Sequence, residues 1–396
     1  MTGGATRVAY VCADPGIPVF GTKGASVHIQ EVVRAWRARG ADVEIFAVRH
    51  GDDVPPDLAD VPVHVVTVGG RGMDPAVREV AQQQAAAELA TLVLASGPDV
   101  VHERYSLFSG VLQHVRSRLA CDTVLEVNAP LVDEQRTHRV LVDEDAARAA
   151  LAGQLRAADV VACVSEPVAG WVRAAAAEAG VPHGCPTVVV VPNGVNTDRV
   201  RPVEPDLDGP PVVVFVGTLK PWHGVEDLVE AAALAQVPWR LRLVGDGPVR
   251  TDVEQQAARH GLDVEMVGAV APQDIPAALQ GASIAVAPYP ASQDHYFSPL
   301  KVYEYGAAAL PVVASRIGQL PQVVEDGRTG VLVPPSDPVA LARAIDALAA
   351  DPERARRLGR AARERMEAHH TWAAVLDATL APLDRARDRA PVTAPA

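Results

Sequence analysis

The sequence predicts an α/β protein of two Rossmann-like domains, each a doubly wound parallel sheet, facing one another across a cleft. Short apolar runs rich in Val, Ile and Ala alternate with helical stretches along the whole chain, the pattern of parallel strands wrapped by helices. At 396 residues the chain exceeds what one hydrophobic core organises. The stretch Arg201-Pro202-Val203-Glu204-Pro205-Asp206-Leu207-Asp208-Gly209-Pro210-Pro211, Pro-rich and poor in apolar residues, splits the alternation into two sets. The expected division is a first domain over 1–200, a linker over 201–211 and a second domain over 212–371. In such sheets ligands bind at the C-terminal ends of the strands.

In the first domain, residues 7–13 read as a buried strand, and Ile29, Val32, Val33 and Trp36 recur at helical spacing up to Gly40, a C′ residue. Between them, residues 14–24 form a loop punctuated by Gly16, Gly21 and Gly24, of the kind that lets backbone amides approach a phosphate. A plain strand-to-helix connection uses the same glycines. Further strands are predicted over 43–48, 63–68, 99–102, 123–127, 159–164 and 187–191, with helices over 75–94 and 146–156. His102-Glu103-Arg104-Tyr105, Glu126-Val127-Asn128-Ala129-Pro130 and Ser165-Glu166-Pro167 end three strands with polar groups. A turn-forming role explains each one alone as well as a functional role does; three strand ends facing one crevice mark a candidate site. Asp143-Glu144-Asp145 reads as the acidic start of an Ala-rich helix and not as a metal site.

The second set of strands is predicted over 212–217, 241–244, 264–267, 284–287, 312–314 and 330–333. Gly217-Thr218-Leu219-Lys220-Pro221-Trp222-His223-Gly224 joins its first strand to a helix starting near Val225, and Gly245-Asp246-Gly247-Pro248 is a strand-end turn. That turn is not a dinucleotide fingerprint, because no third Gly follows at the required spacing. In Tyr296-Phe297-Ser298-Pro299-Leu300-Lys301-Val302-Tyr303-Glu304-Tyr305-Gly306, Ser298 is an N-cap candidate and Pro299 suits a first helical position. The free amides of such a first turn favour an anion, typically a phosphate. Glu304 lies about 7.5 Å further along the axis at 1.5 Å per residue, roughly the step from a pyrophosphate to ribose hydroxyls. A solvated Glu on an ordinary surface helix fits the same spacing.

Pro299, Glu304, Gly306 and the following Leu310-Pro311-Val312-Val313-Ala314-Ser315 resemble the signature segment of retaining glycosyltransferases of family 4, and Ser298-Pro299-Leu300-Lys301 resembles a subset of that family. Val191-Pro192-Asn193-Gly194-Val195-Asn196 is similar to the family's turn before the interdomain crossing. The resemblance implies the two-domain architecture known as GT-B, with a terminal helix over 372–389 crossing back to the first domain. It implies transfer of a sugar, hexosyl in type, from a nucleoside-diphosphate donor to a small-molecule acceptor by front-side attack, with no protein nucleophile and no metal or cofactor. Glu304 then contacts the ribose, while Ser298, Pro299, Leu300 and Lys301 shape the nucleotide grip.

The family's first signature Glu maps on Tyr296 beside Phe297, so another group, Asp294 or His295, is expected to touch the sugar. Where many members carry a sugar-contacting His this chain has Asn128, whose amide can hydrogen-bond a hydroxyl but cannot act as a base. The family's two diphosphate cations map on Thr218 and His223, which leaves Lys220 as the expected diphosphate cation and His223 as a helper. Gly21, Lys23 and Gly24 fall in the loop expected against diphosphate and acceptor; Gly245 and Val267 fall at strand ends expected near the nucleotide. Glu126, Asp133 and Glu134 flank Asn128 and are expected to form an acidic rim suited to an amino-bearing acceptor.

A nucleotide-sugar epimerase and a catalytically inactive nucleotide-sugar-binding protein are the alternative readings. A formal net charge of −13 disfavours nucleic-acid binding. No run reaches the ~20 apolar residues of a membrane span, and a cytoplasmic protein is expected. Cys12, Cys121, Cys163 and Cys185 show neither zinc spacing nor a disulfide framework. Oligomeric state is not legible.

Overall fold

The computed structural model describes residues 5–70, 72–182, 184–291 and 295–389. The chain divides into two compact units, Met1–Pro192 with Val375–Ala396, and Asn193–Ala374. Both are Rossmann-like, as the sequence predicts.

The first unit carries β1 (Arg7–Cys12), β2 (Asp42–Ala47), β3 (Val63–Val65), β4 (Val100–Arg104), β5 (Asp122–Val127), β6 (Val160–Cys163) and β7 (Thr187–Val190). They pair in the order β3-β2-β1-β4-β5-β6-β7, all parallel. The order reverses direction between β1 and β4, which makes that junction the switch point of the sheet. Its helices are α1 (Gly24–Ala38), α2 (Pro75–Ser96), α3 (Val111–Arg116), α4 (Leu131–His138), α5 (Glu144–Ala157) and α6 (Glu166–Glu178). Ile29, Val32, Val33 and Trp36 bury one face of α1, and Gly40 follows its end with φ 79°. Asp74 accepts from the amides of Ala76 and Val77 to start α2, and Asp143 accepts from Ala146 to start α5, the helix-start role its sequence indicates. The predicted strand over 63–68 is shorter, and α4 is not foreseen: its sequence LVDEQRTH buries only Val132 and so lacks apolar periodicity.

The second unit carries β8 (Val212–Val216), β9 (Arg240–Val244), β10 (Val264–Gly268), β11 (Ala282–Ala287), β12 (Val312–Ser315) and β13 (Gly330–Val333), parallel in the order β10-β9-β8-β11-β12-β13. Its switch point is β8/β11. The helices are α7 (Val225–Ala233), α8 (Arg250–Arg259), α9 (Ile275–Ala278), α10 (Leu300–Ala307), α11 (Leu320–Val323), α12 (Pro338–Ala349) and α13 (Pro352–His369). In α14 (Trp372–Arg389), residues from Val375 onward group with the first unit, where Asp377 pairs with Arg39.

The stretch 201–211 is not a free linker. The Val203 amide donates to Ala308 O at 3.0 Å, the Asp206 amide to Gly281 O at 3.0 Å, and the Gly281 amide to Glu204 O at 3.2 Å. Composition marks a break here because prolines bar regular strand pairing, yet the backbone still finds partners on the second unit.

Candidate functional site

In the second unit the switch point is built from the ends of β8 and β11 and the start of α10. Gly217, straight after β8, has φ 147°, and a Cβ there would lie 2.7 Å from Lys301 Nζ. Gly245, after β9, has φ 145°, and its Cβ would lie 2.0 Å from Gly217 O. Only glycine allows these two loops to touch backbone to backbone. Tyr305 holds the end of β8 from below, its hydroxyl accepting from the Val216 amide at 2.7 Å.

Lys301 is the unusual group. Its Nζ is enclosed and has no hydrogen-bond partner among the described residues. It lies 4.0 Å from the Phe215 ring centroid and 5.4 Å from that of Tyr289. Burial lowers its pKa from 10.5 to about 7, against the opposing pull of Glu304. Glu304 is three residues on, on the same face of α10, and is partly exposed.

In the first unit, Glu126 at the end of β5 is a buried hub. Its Oε2 lies 3.0 Å from His28 Nε2 and 3.4 Å from His102 Nε2; its Oε1 accepts from Arg104 at 2.7 Å and from Asn128 Nδ2. Burial alone would raise its pKa, but His28, His102 and Arg104 hold it well below the usual carboxylate range. Trp36 donates to His102 Nδ1 at 3.2 Å, which puts the proton of a neutral His102 on Nε2, facing Glu126. The loop 14–24 is stapled down: Ser26 Oγ donates to Pro18 O at 2.6 Å, and Gln30 Nε2 to Val19 O and Gly21 O at 3.2 and 3.0 Å. A separate cavity of about 300 Å3 opens at the C-terminal side of this sheet, lined from Asp14, Arg49, Arg78, Glu134 and Arg139 among others.

Residues 22–199 match the family "Glycosyltransferase Family 4", and residues 210–351 match "Glycosyl transferases group 1". The alpha-maltose-1-phosphate synthase of Mycolicibacterium smegmatis is 31% identical over 94% of this chain and 98% of its own length. The chain belongs to glycosyltransferase family 4. The D-inositol 3-phosphate glycosyltransferase of Acidothermus cellulolyticus is 30% identical over 85% of this chain and 79% of its own. Among solved structures, the sucrose-phosphate synthase of Thermosynechococcus elongatus aligns with TM-score 0.70 at 25% identity, covering 97% of this chain and 98% of that one. This family 4 member is therefore a transferase.

The structure of the glycosyltransferase redistributes several expected site residues. Ser298 does not cap α10: its Oγ accepts from the Asn193 amide at 3.2 Å and meets Tyr303 OH at 2.8 Å, and Asn193 Nδ2 donates to Ser298 O at 2.7 Å. Pro299 stands at the N-cap and no side chain caps the helix, whose first turn holds Leu300 and Lys301. His223 is not a cation at neutral pH, because burial and then the neighbouring Lys301 push its pKa down to about 4. Its Nδ1 donates to Thr218 O, so Nε2 is left as an acceptor. Lys220 extends over the exposed Trp222 ring, 4.6 Å from its centroid.

Tyr296 and Phe297 remain beside the site, with Phe297 5.2 Å from Tyr289 by ring centroids. Thr218 and Val267 are exposed. Gly21 is buried and packed on Pro18, so it serves the loop's fold, whereas Lys23 and Gly24 are exposed at the head of α1. Glu126 is no rim group, since its carboxylate is spent inside. Asp133 is likewise engaged, by Trp171 Nε1 at 2.7 Å. Ser165 caps α6, and Glu103 turns inward to accept from Ser109 and, at 3.1 Å, from the Leu112 amide. Asp294 lies outside the described residues. Sequence reasoning missed the weight of Lys301; its position one step inside the first turn of α10, three residues before Glu304, is the signal that could have found it.

Proposed function

We propose that this chain is a retaining transferase that moves a sugar from a nucleoside-diphosphate donor to a small-molecule acceptor without a metal or other cofactor. The observation that carries the reading is Lys301 Nζ, enclosed at the β8/β11 switch point against Gly217 with no hydrogen-bond partner among the described residues. A buried ammonium without an anion is costly, and a donor diphosphate supplies the counter-charge. Negative charge on that diphosphate grows as the glycosidic bond breaks, so Lys301 favours the transition state over the bound substrate. The uncapped first turn of α10 adds backbone donors.

Glu304, one turn further, accepts from the ribose hydroxyls. Lys220 sits at the outer edge of the same loop and assists as a second cation. The acceptor oxygen forms its bond to the anomeric carbon on the face from which the diphosphate leaves, and a leaving phosphate oxygen takes the acceptor's proton. Asn128, its Nδ2 held by Glu126, offers its amide carbonyl to a sugar hydroxyl.

The test is incubation with UDP-, GDP- and dTDP-sugars, with and without candidate acceptors. Free nucleoside diphosphate should appear only with acceptor, and NMR of the product should show the donor's anomeric configuration. Conversion of the donor without acceptor would favour an epimerase, and an inverted product would sink the retaining assignment.

A further inference from the structure

We propose that Asn193 is a positioning residue for the diphosphate site: through Ser298 it fixes where α10 begins, and with that where Lys301 stands. This deepens the transferase reading above and rests on its assignment of Lys301.

The start of α10 has little of its own to hold it. Residues 295–299 ahead of it form no regular structure, Pro299 at the N-cap has no N–H, and no side chain caps the first turn. Asn193 supplies the hold from 105 residues earlier in the chain. Its backbone amide donates to Ser298 Oγ at 3.2 Å and its side-chain Nδ2 to Ser298 O at 2.7 Å, so Ser298 is gripped at two points, which fixes its orientation as well as its place. The hydroxyl then passes the hold into the helix: it meets Tyr303 OH at 2.8 Å, and Tyr303 OH donates to Gln319 Oε1 at 3.3 Å. With that donor direction Ser298 Oγ donates to Tyr303, and the bonds run one way from Asn193 to Gln319, an arrangement in which each strengthens the next. All four residues are buried. The segment that carries Asn193 is itself anchored, since the Val195 amide donates to His370 O at 2.8 Å and the His370 ring meets Tyr303 edge-on, 5.2 Å between centroids.

Lys301 lies between the two gripped residues, after Ser298 and before Tyr303. Its Nζ is 4.0 Å from the Phe215 ring centroid, and a Cβ on Gly217 would lie 2.7 Å from it, so α10 has no room to slide without moving the ammonium out of place. A misplacement of about 1 Å in such a site costs on the order of a hundredfold in rate. The side chain has to be an amide: Asp has the same shape without the N–H and would set lone pairs against Ser298 O.

UDP, GDP and dTDP are the probes, titrated calorimetrically into the full chain, and whichever binds wild type is carried through the variants. We expect Asn193→Ala to weaken it about tenfold, as for loss of a hydrogen bond that supports a charged contact. In a Lys301→Met background the same substitution should change affinity by less than about twofold, because residues acting on one contact are not additive. Trp239→Phe removes the Trp239 Nε1–Asp346 bond of 3.0 Å elsewhere in the same unit; it should lower the thermal midpoint and leave nucleotide affinity as in wild type. Where Asn193→Ala does not fold, Ser298→Ala keeps the bond from Asn193 Nδ2 and runs the same cycle, with an expected loss of about threefold. Wild-type nucleotide affinity in the Asn193 and Ser298 variants, or the same fold-loss with and without Lys301, overturns the proposal and leaves the donor reading standing. Failure of wild type to bind any of the three nucleotides overturns the donor reading itself, and the proposal falls with it.

Discussion

At the scale of single residues the division of labour between two lysines is the central question. Lys301 is enclosed with no hydrogen-bond partner among the described residues, whereas Lys220 extends over the exposed Trp222. We expect Lys301→Met to lower kcat by roughly 10²–10³, the usual loss for a donor aimed at a developing anion, and Lys220→Ala to lower it far less. Steady-state kinetics with saturating donor decides; equal effects would mean that the diphosphate sits over Lys220. Because Lys301 titrates at about 7 in the empty protein, a bound diphosphate should raise its pKa and draw in a proton. Nucleoside-diphosphate affinity should then fall as pH climbs above 7, and calorimetry at pH 8 in buffers of different ionisation heat should register proton uptake that Lys301→Met lacks. For Glu304, replacement by Ala leaves ribose hydroxyls unpaired, a loss of about 2–3 kcal/mol. Donor affinity should drop about 30- to 150-fold. A 2′-deoxy nucleotide that binds wild type as tightly as its ribo form would remove Glu304 from the ribose.

Elements matter here through what they hold fixed. The end of β8 is pinned by the hydroxyl of Tyr305, a residue of α10, so strand and helix set the spacing between Gly217 and Lys301 together. Tyr305→Phe leaves the Val216 amide buried and unpaired, at a cost of about 1–3 kcal/mol. Chemical denaturation should show it as a lower midpoint, and an unchanged midpoint would mean that another group takes up the amide. Helix α10 itself starts without a side-chain cap because Ser298, the capping candidate, faces Asn193 and Tyr303 instead. The fold forgoes a cap worth about 1 kcal/mol there, and of the first-turn amides Val302 donates to Pro299 O at 3.1 Å while no side chain caps Leu300 or Lys301.

Over the whole molecule, pH couples to stability through the same lysine. Its folded pKa of about 7 lies below its ordinary 10.5, so between those values the unfolded chain binds more protons than the folded one. Stability from this group therefore rises with pH across that window and is lost as pH falls toward 7. The ligand-free melting temperature of wild type should climb more between pH 7 and 9 than that of Lys301→Met; parallel curves would show Lys301 to be solvated. Below pH 6.5 the same sign continues: the partly buried His223 and the buried His370 are pushed down to about 4, so their stabilisation is lost as pH falls toward that value and they are forced to take protons.

The sequence by itself determined the two alternating strand sets, the glycines after β8 and β9, the Pro299–Glu304 segment and membership of the family's pattern, because these are local: strand periodicity, turn chemistry and short motifs act within a dozen residues. It did not determine which polar side chains stay available. Glu126 reads as a rim group until His28, from α1, and Arg104, from β4, close on it. Ser298 reads as a cap until Asn193, 105 residues earlier in the chain, reaches it. Lys301 reads as one more helix cation until Phe215 and Tyr289 enclose it. Burial and pairing depend on contacts between residues far apart in the chain, and only the tertiary structure decides those.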